Sequence, residues 1–195
     1  MRLGGRAVEL VRKAARQRVA APGDDDDDVG EIPLLIGQAP AMQEVFRSIG
    51  RLARSSMTVL ITGESGTGKE LVARALHEHS PRAGKPFVAL NTAAIASELL
   101  ESELFGHKKG AFTGAIEAHQ GIFSRCSPFG ATFIDEIGEV TIPVQIKLLQ
   151  VLQEREFTPV GSHYKEKFQG RVIGATNQPL TELRKEKRFR EDFYY

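Results

Sequence analysis

A chain of 195 residues, 41% apolar and 26% charged, has room for one substantial domain and a tail. Its formal charge of +1 argues against a protein that holds nucleic acid by bulk charge. The single cysteine, Cys126, excludes an intramolecular disulfide and a cysteine-rich zinc site and fits a reducing compartment. No apolar run approaches the ~20 residues of a membrane span, and the basic N-terminus lacks the apolar core of a signal peptide. The expectation is a soluble, cytoplasmic protein.

Arg6 to Arg18 reads as a short amphipathic helix, with Val8, Leu10, Val11 and Ala15 as its apolar positions. A lone helix of this length is marginal in water, so its apolar side is expected to belong against a neighbour that this chain lacks. Asp24 to Asp28 is a run of like charges with no reason to pack, which reads as a linker rather than a metal site. The folded domain is expected to start near Ile32 to Leu35. From Ala39 to Leu52, Met42, Val45, Phe46, Ile49 and Leu52 recur at helical spacing and predict one buried face.

Thr58-Val59-Leu60-Ile61-Thr62 is an apolar, β-branched run followed by Gly63-Glu64-Ser65-Gly66-Thr67-Gly68-Lys69 and then a helix-forming stretch, Glu70 to His77. This is strand–P-loop–helix order. Glycines let successive N–H groups face one concavity, the helix N-terminus adds positive potential, and Lys69 supplies a point charge for the outer phosphates of a nucleoside triphosphate. Glu70 stands where the strict pattern has a hydroxyl ligand to magnesium.

Pro86 to Asn91 predicts a second strand, and Asn91 has two readings, a cap for the next helix or the edge of the nucleotide site. Ile95 to Phe105 predicts a helix that buries Leu99, Leu100 and Leu104. Gly106 to Ala115 then sets three glycines around one phenylalanine; composition alone favours a hairpin with Phe112 in the core over a mobile loop with an aromatic tip. Gly130 to Glu136 is a third strand ending in paired carboxylates, where P-loop ATPases deliver an Asp to magnesium. Asp135 fits that role, and Glu136 fits a general base for the attacking water.

Thr141-Ile142-Pro143 opens a helix with Val144, Leu148, Val151 and Leu152 on its apolar side. Gly161 to Gly170 reads as a polar loop, and Arg171 to Asn177 as a fourth strand with Asn177 at the ligand level. The basic segment Leu183 to Arg190 is either a solvated face or a source of one phosphate-reaching arginine. The chain stops at Phe193-Tyr194-Tyr195 with nothing to bury the aromatics, an ending expected of truncation.

Six segments in this order carry a resemblance: Gly-Glu-Ser-Gly-Thr-Gly-Lys-Glu (63–70), Glu-Ser-Glu-Leu-Phe-Gly-His (101–107), Gly-Ala-Phe-Thr-Gly-Ala (110–115), Asp-Glu-Ile-Gly-Glu (135–139), Ala-Thr-Asn (175–177) and Phe-Arg-Glu-Asp (189–192). Together they resemble the central ATPase domain of sigma-54-dependent transcription activators, the NtrC-like bacterial enhancer-binding proteins of the AAA+ superfamily. The resemblance covers about residues 34–195, and the 110–115 motif is very specific to that group. It implies an α/β fold, a P-loop AAA+ three-layer αβα sandwich with a central parallel sheet, without the helical lid subdomain. Residues 1–18 and 19–33 resemble the end of a two-component receiver domain and its acidic linker.

The resemblance also implies roles. Gly63, Glu64, Ser65, Gly66, Thr67, Gly68, Lys69 and Glu70 hold ATP, and Glu70 is ordinary for the group. Asp135 positions Mg2+ and Glu136 activates water. Asn91 is the switch that holds the catalytic glutamate, and Asn177 senses the γ-phosphate. Arg190 is the first of two arginine fingers supplied to the adjacent subunit. Gly110, Ala111, Phe112, Thr113, Gly114 and Ala115 form the moving loop that touches sigma-54, which reverses the core reading of Phe112.

The expected activity is ATP hydrolysis that remodels the closed complex of sigma-54 RNA polymerase so that promoter DNA opens. In the intact protein the implied assembly is a homo-oligomeric ring, expected as a hexamer, with upstream DNA bound through a C-terminal domain absent here and no membrane partner. Lys108 stands where the group usually has Glu, and Ala131 and Thr92 replace a common Gly and Cys. The second finger would lie just beyond Tyr195, so this stretch alone is expected to hydrolyse ATP weakly or not at all. Two alternatives stay open: another AAA+ remodelling ATPase, or a truncated nucleotide-binding subunit without turnover.

Overall fold

The computed structural model describes residues 40–126 and 128–194. The N-terminal helix, the acidic linker and the expected start of the domain lie outside the described residues, as does Tyr195. Helix α1 (Pro40–Ala53) buries Val45, Ile49 and Leu52 as its spacing predicts. Strand β1 (Val59–Thr62) leads through the glycine-rich loop into α2 (Lys69–Glu78). Strand β2 (Phe87–Asn91), a single turn at Thr92–Ala94 and helix α3 (Ser97–Phe105) follow.

After a long loop come α4 (Ile122–Cys126), β3 (Ala131–Asp135), a turn at Ile137–Glu139 and α5 (Ile142–Glu154). A two-stranded ribbon of β4 (Glu156–Phe157) and β5 (Glu166–Lys167) precedes β6 (Arg171–Thr176), α6 (Leu180–Lys185) and α7 (Glu191–Tyr194).

The four long strands form one parallel sheet in the order β1-β6-β3-β2. Parallel strands are covered on both faces, so consecutive residues of β3 serve opposite cores. Phe133 packs with Val45, Ile61, Leu76 and Ile173 under α1 and α2, whereas Ile134 packs with Leu104, Phe123, Leu148 and Val172 under α3, α4 and α5. The result is a three-layer αβα sandwich, as the sequence implied. Arg171 is buried at the N-terminal edge of β6, where its Nε donates to Met57 O (3.0 Å) and its Nη2 to Leu52 O (2.9 Å). One side chain thereby ties the end of α1 and the entry to β1 onto the central strand.

Several expectations change. Leu99 is 48% exposed, on the outer side of α3, while Leu100 and Leu104 are buried. That helix begins at Ser97 rather than Ile95 because the Asn91-capped turn at Thr92–Ala94 occupies the residues before it. The polar stretch 161–170 contains β5, which pairs antiparallel with β4, and places Phe168 wholly in the core beside Phe123 (ring centroids 5.0 Å apart). Phe193 is half-buried against Phe189, with centroids 5.3 Å apart, so one of the terminal aromatics does find a partner.

Phe168→Ala should remove a ring that fills the space between α4 and the ribbon, lowering the unfolding free energy by about 3–5 kcal/mol. Denaturant unfolding followed by circular dichroism measures this, and a loss below about 1 kcal/mol would contradict the packing described.

Candidate functional site

The glycine-rich loop closes tightly between β1 and α2. Gly66 and Gly68 take φ of 76° and 84°, a left-handed backbone that other residues adopt only with strain. Gly63 N donates to Thr176 O (3.2 Å), which fixes the loop's entrance to the end of β6. Thr67 Oγ1 donates to Glu64 O (2.8 Å). Lys69 is only 8% exposed, and its Nζ donates to Gly63 O and Glu64 O, both at 3.1 Å. An ammonium held by main-chain carbonyls inside a loop of left-handed glycines, at the start of a helix, suits a phosphate chain that would take over its donors.

The carboxylates lie across from it. Asn91 pairs with Asp135 at the C-terminal ends of β2 and β3. Asp135 Oδ1 accepts from Glu136 N (3.0 Å), and Glu136 itself is left-handed, at φ 54° and ψ 44°. A non-glycine residue in that region costs about 1–3 kcal/mol and persists only where its surroundings enforce it. Here the surroundings are specific. Glu136 Oε2 accepts from Asn177 N (3.2 Å), and Oε1 lies 4.0 Å from Lys69 Nζ. The buried Thr92 hydroxyl lies 3.0 Å from Asp135 O and 2.7 Å from Glu136 O, within donating reach of both.

The structure therefore brings Lys69, Asp135, Glu136 and the Asn177 backbone together. Asn91 is adjacent in register, but its Oδ1 accepts from Ala93 N (3.0 Å), the capping arrangement that was one of its two readings. Thr92 entered the sequence reading only as a mild replacement. A polar residue directly after a strand-end Asn was its one signal, and nothing in the sequence shows which carbonyls it meets.

Among the described residues no group of three or more His, Cys, Asp or Glu side chains could hold a metal by itself. Magnesium ordinarily uses one or two carboxylates together with substrate phosphates, so Asp135 beside the glycine loop is a donor set of that kind.

The segment 106–121 is a separate projection. Its root is narrow: a Cβ on Gly106 would lie 2.6 Å from His119 O, and one on Gly121 would lie 2.3 Å from Gly106 N. His107 N and His119 N donate reciprocally to each other's carbonyls (3.0 and 2.9 Å), and Lys108 N donates to Val160 O (3.0 Å). His107 Nε2 donates to Glu117 O (3.0 Å), a carbonyl that can only accept. Nδ1 lies 2.6 Å from the buried Ser102 hydroxyl, which can donate or accept there.

On this root the tip is a hydrogen-bonded turn, with Gly110 N donating to Ala115 O (2.8 Å) and Ala115 N to Phe112 O (3.0 Å). Phe112 is 38% exposed and leans edge-on against His107 at 4.9 Å, so the composition-based core placement is overturned. Gly106, Gly110 and Gly114 supply positive φ rather than room for a core ring. Ile116, which the sequence reading passed over, is 76% exposed beside it.

Arg190 is not among the residues that meet at Glu136. Its guanidinium makes a bidentate pair with Asp192 (2.8 and 2.6 Å), and that hydrogen bonding holds the Asp192 carboxyl below the usual carboxylate range. It lines an open cleft of about 640 Å³ together with Arg184, Lys185, Lys187, Phe189 and Glu191.

This geometry has known counterparts. The sigma-54 interaction domain family matches residues 35–195. The DNA-binding transcriptional regulator NtrC of Proteus hauseri is 54% identical over 174 residues, covering 89% of this chain and 37% of the relative. The chain thus spans little more than a third of that relative. Among solved structures, NtrX from Brucella abortus in complex with ATP superposes with a TM-score of 0.75 at 37% identity, over 82% of this chain and 34% of that one. The P-loop NTPase domain of an Escherichia coli sigma-54 activator, at 19% identity and a TM-score of 0.55 over 82% of this chain and 91% of that one, shares the fold. A match that runs across every described element makes this chain a member of the sigma-54 interaction domain family.

Proposed function

We propose that this domain hydrolyses ATP within a ring of like subunits in the cytoplasm and uses the motion of its 110–115 turn to remodel sigma-54 RNA polymerase for promoter opening. The observation that carries the reading is the meeting of Lys69, Asp135, Glu136 and Asn177 at one edge of the parallel sheet, on a domain that also projects Phe112. In the reaction, water attacks the γ-phosphorus, the bond to the bridging oxygen breaks, and the water's proton passes to the Glu136 carboxylate. Lys69 Nζ exchanges Gly63 O and Glu64 O for phosphate oxygens. Mg2+ held at Asp135 would neutralise charge on those oxygens. Asn177 N keeps Glu136 aimed, and Asn91, whose Oδ1 here accepts from Ala93 N, would compete for that carboxylate on leaving its cap.

Arg190 points to a second copy. In its own chain the guanidinium serves Asp192 on an exposed cationic cleft, a surface suited to the polyphosphate of an adjacent subunit. Upstream DNA contact and the hexameric count belong to the intact protein.

Transmission to the projection has a short covalent route. Thr92 reads the Asp135–Glu136 carbonyls, the turn at Thr92–Ala94 leads into α3, and α3 ends at Gly106, the root of the loop. A change at the γ-phosphate that rotates the Glu136 peptide would therefore shift a rigid helix whose far end carries Phe112.

Three outcomes test the reading. Specific ATPase activity of the intact protein should rise steeply with concentration, and Arg190→Ala should lower it by about 10³-fold or more; a flat trace at measurable rate would sink the trans role. Phe112→Ala should leave turnover within about twofold yet abolish capture of sigma-54 in the presence of a transition-state phosphate analogue. Thr92→Val should lower kcat roughly tenfold with unchanged ATP affinity, the loss expected for one hydrogen bond of about 1.4 kcal/mol.

A further inference from the structure

Gln145 is wholly buried on the first turn of α5. Its amide meets three main-chain groups from two segments, one five residues before it and one more than forty residues after it. Nε2 donates to Val140 O (2.7 Å) and to Arg188 O (2.9 Å), and Oε1 accepts from Arg190 N (2.9 Å). The partners fix which end is which: two carbonyls can only accept and one N–H can only donate. An amide so held needs every one of its bonds, because each lost partner leaves a buried group without a mate at about 1–3 kcal/mol.

What it joins gives the amide a use. Val140 closes the turn that opens at the left-handed Glu136, with Glu139 N donating to Glu136 O (2.9 Å) and Val140 N to Ile137 O (3.4 Å). Arg188 to Arg190 follow the left-handed Lys187, and Arg188 N and Phe189 N both donate to Leu183 O (2.9 and 3.2 Å). The turn after α6 is thus anchored to α6 on one side and to α5 through Gln145 on the other. The residue that leaves this anchor is Arg190, whose N–H is the last group held before its side chain reaches the surface.

We propose that Gln145 is the positioning residue for Arg190, setting where the arginine stands toward the adjacent subunit and tying that position to the Glu136 turn of its own subunit. The inference rests on the reading that Arg190 serves a neighbour's nucleotide site. Gln145 touches no reacting atom. It acts by holding Arg188 O, Arg190 N and Val140 O in one rigid frame, so a shift of the Glu136 turn moves the arginine that the next site uses. A displacement of about 1 Å at such a group is enough to cost on the order of 10²-fold in rate.

The test uses subunit mixing in the intact protein. Gln145→Met keeps length and bulk while removing the donors and the acceptor. It should lower kcat by about 10- to 100-fold and leave ATP affinity within about twofold, because Lys69 and the glycine loop, which hold the phosphates, make no bond to Gln145. Mixed with Glu136→Gln subunits, which lack the base but keep a sound Arg190, it should regain up to about a quarter of wild-type turnover, the share of interfaces that pair an intact site with an intact arginine in a random equal mixture. Mixed with Arg190→Ala subunits it should regain nothing.

Recovery with both partners or with neither, or wild-type kcat in Gln145→Met alone, would overturn the proposal. If Gln145→Met does not fold, Gln145→Glu, which keeps the acceptor for Arg190 N but faces two carbonyls with a carboxylate, is judged by the same mixtures. The control is Arg190→Ala mixed with Glu136→Gln: failure there overturns the trans role of Arg190, and with it this inference. Success there, with failure of the Gln145 variants, overturns this inference alone.

Discussion

A parallel sheet covered on both faces leaves its C-terminal strand ends as the edge where polar side chains can meet a ligand, and that arrangement organises this domain. Strands β1, β2, β3 and β6 end at Thr62, Asn91, Asp135 and Thr176, with Thr62 beside Thr176 and Asn91 beside Asp135 in register. The ligand crevice of an open α/β sheet lies just past such ends, because the loops that follow have no strand partners left to satisfy their amides. The glycine loop after β1, the carboxylates at the end of β3 and Asn177 after β6 are three uses of that edge.

The edge is held in a strained geometry. Glu136 is left-handed although it carries a side chain, and it stays so because Asp135 caps its N–H, Thr92 meets its carbonyl and Asn177 N meets its carboxylate. Each partner comes from a different strand end. A residue fixed by three neighbouring elements is sensitive to movement in any of them, which is the property a nucleotide-driven switch requires.

Two surfaces lead away from that point by different routes. Through Thr92 the path runs along α3 to the projection, whose root is locked by the His107–His119 pairing and by Val160 on the β4–β5 ribbon. Through Val140 and the buried Gln145 amide the path runs to the Arg190 turn. The first ends in an exposed aromatic, the second in an exposed arginine, and both start within the turn that holds the proposed catalytic base.

The sequence alone determined the order of the four long strands and of the helices α1, α2, α3 and α5 around them, the glycine loop with its lysine, the carboxylate pair, and, through the 110–115 motif, the family. Those features are local: a loop's φ demands, a strand's alternation and a motif's spacing are written in adjacent residues. Only the tertiary structure decided that Leu99 faces outward, that Phe168 in a polar stretch belongs in the core, that Thr92 braces Glu136, and that Gln145 joins two segments about 45 positions apart. Burial and hydrogen-bond partnership are relations between segments brought together by folding. A single position does not encode which distant carbonyl its side chain will meet.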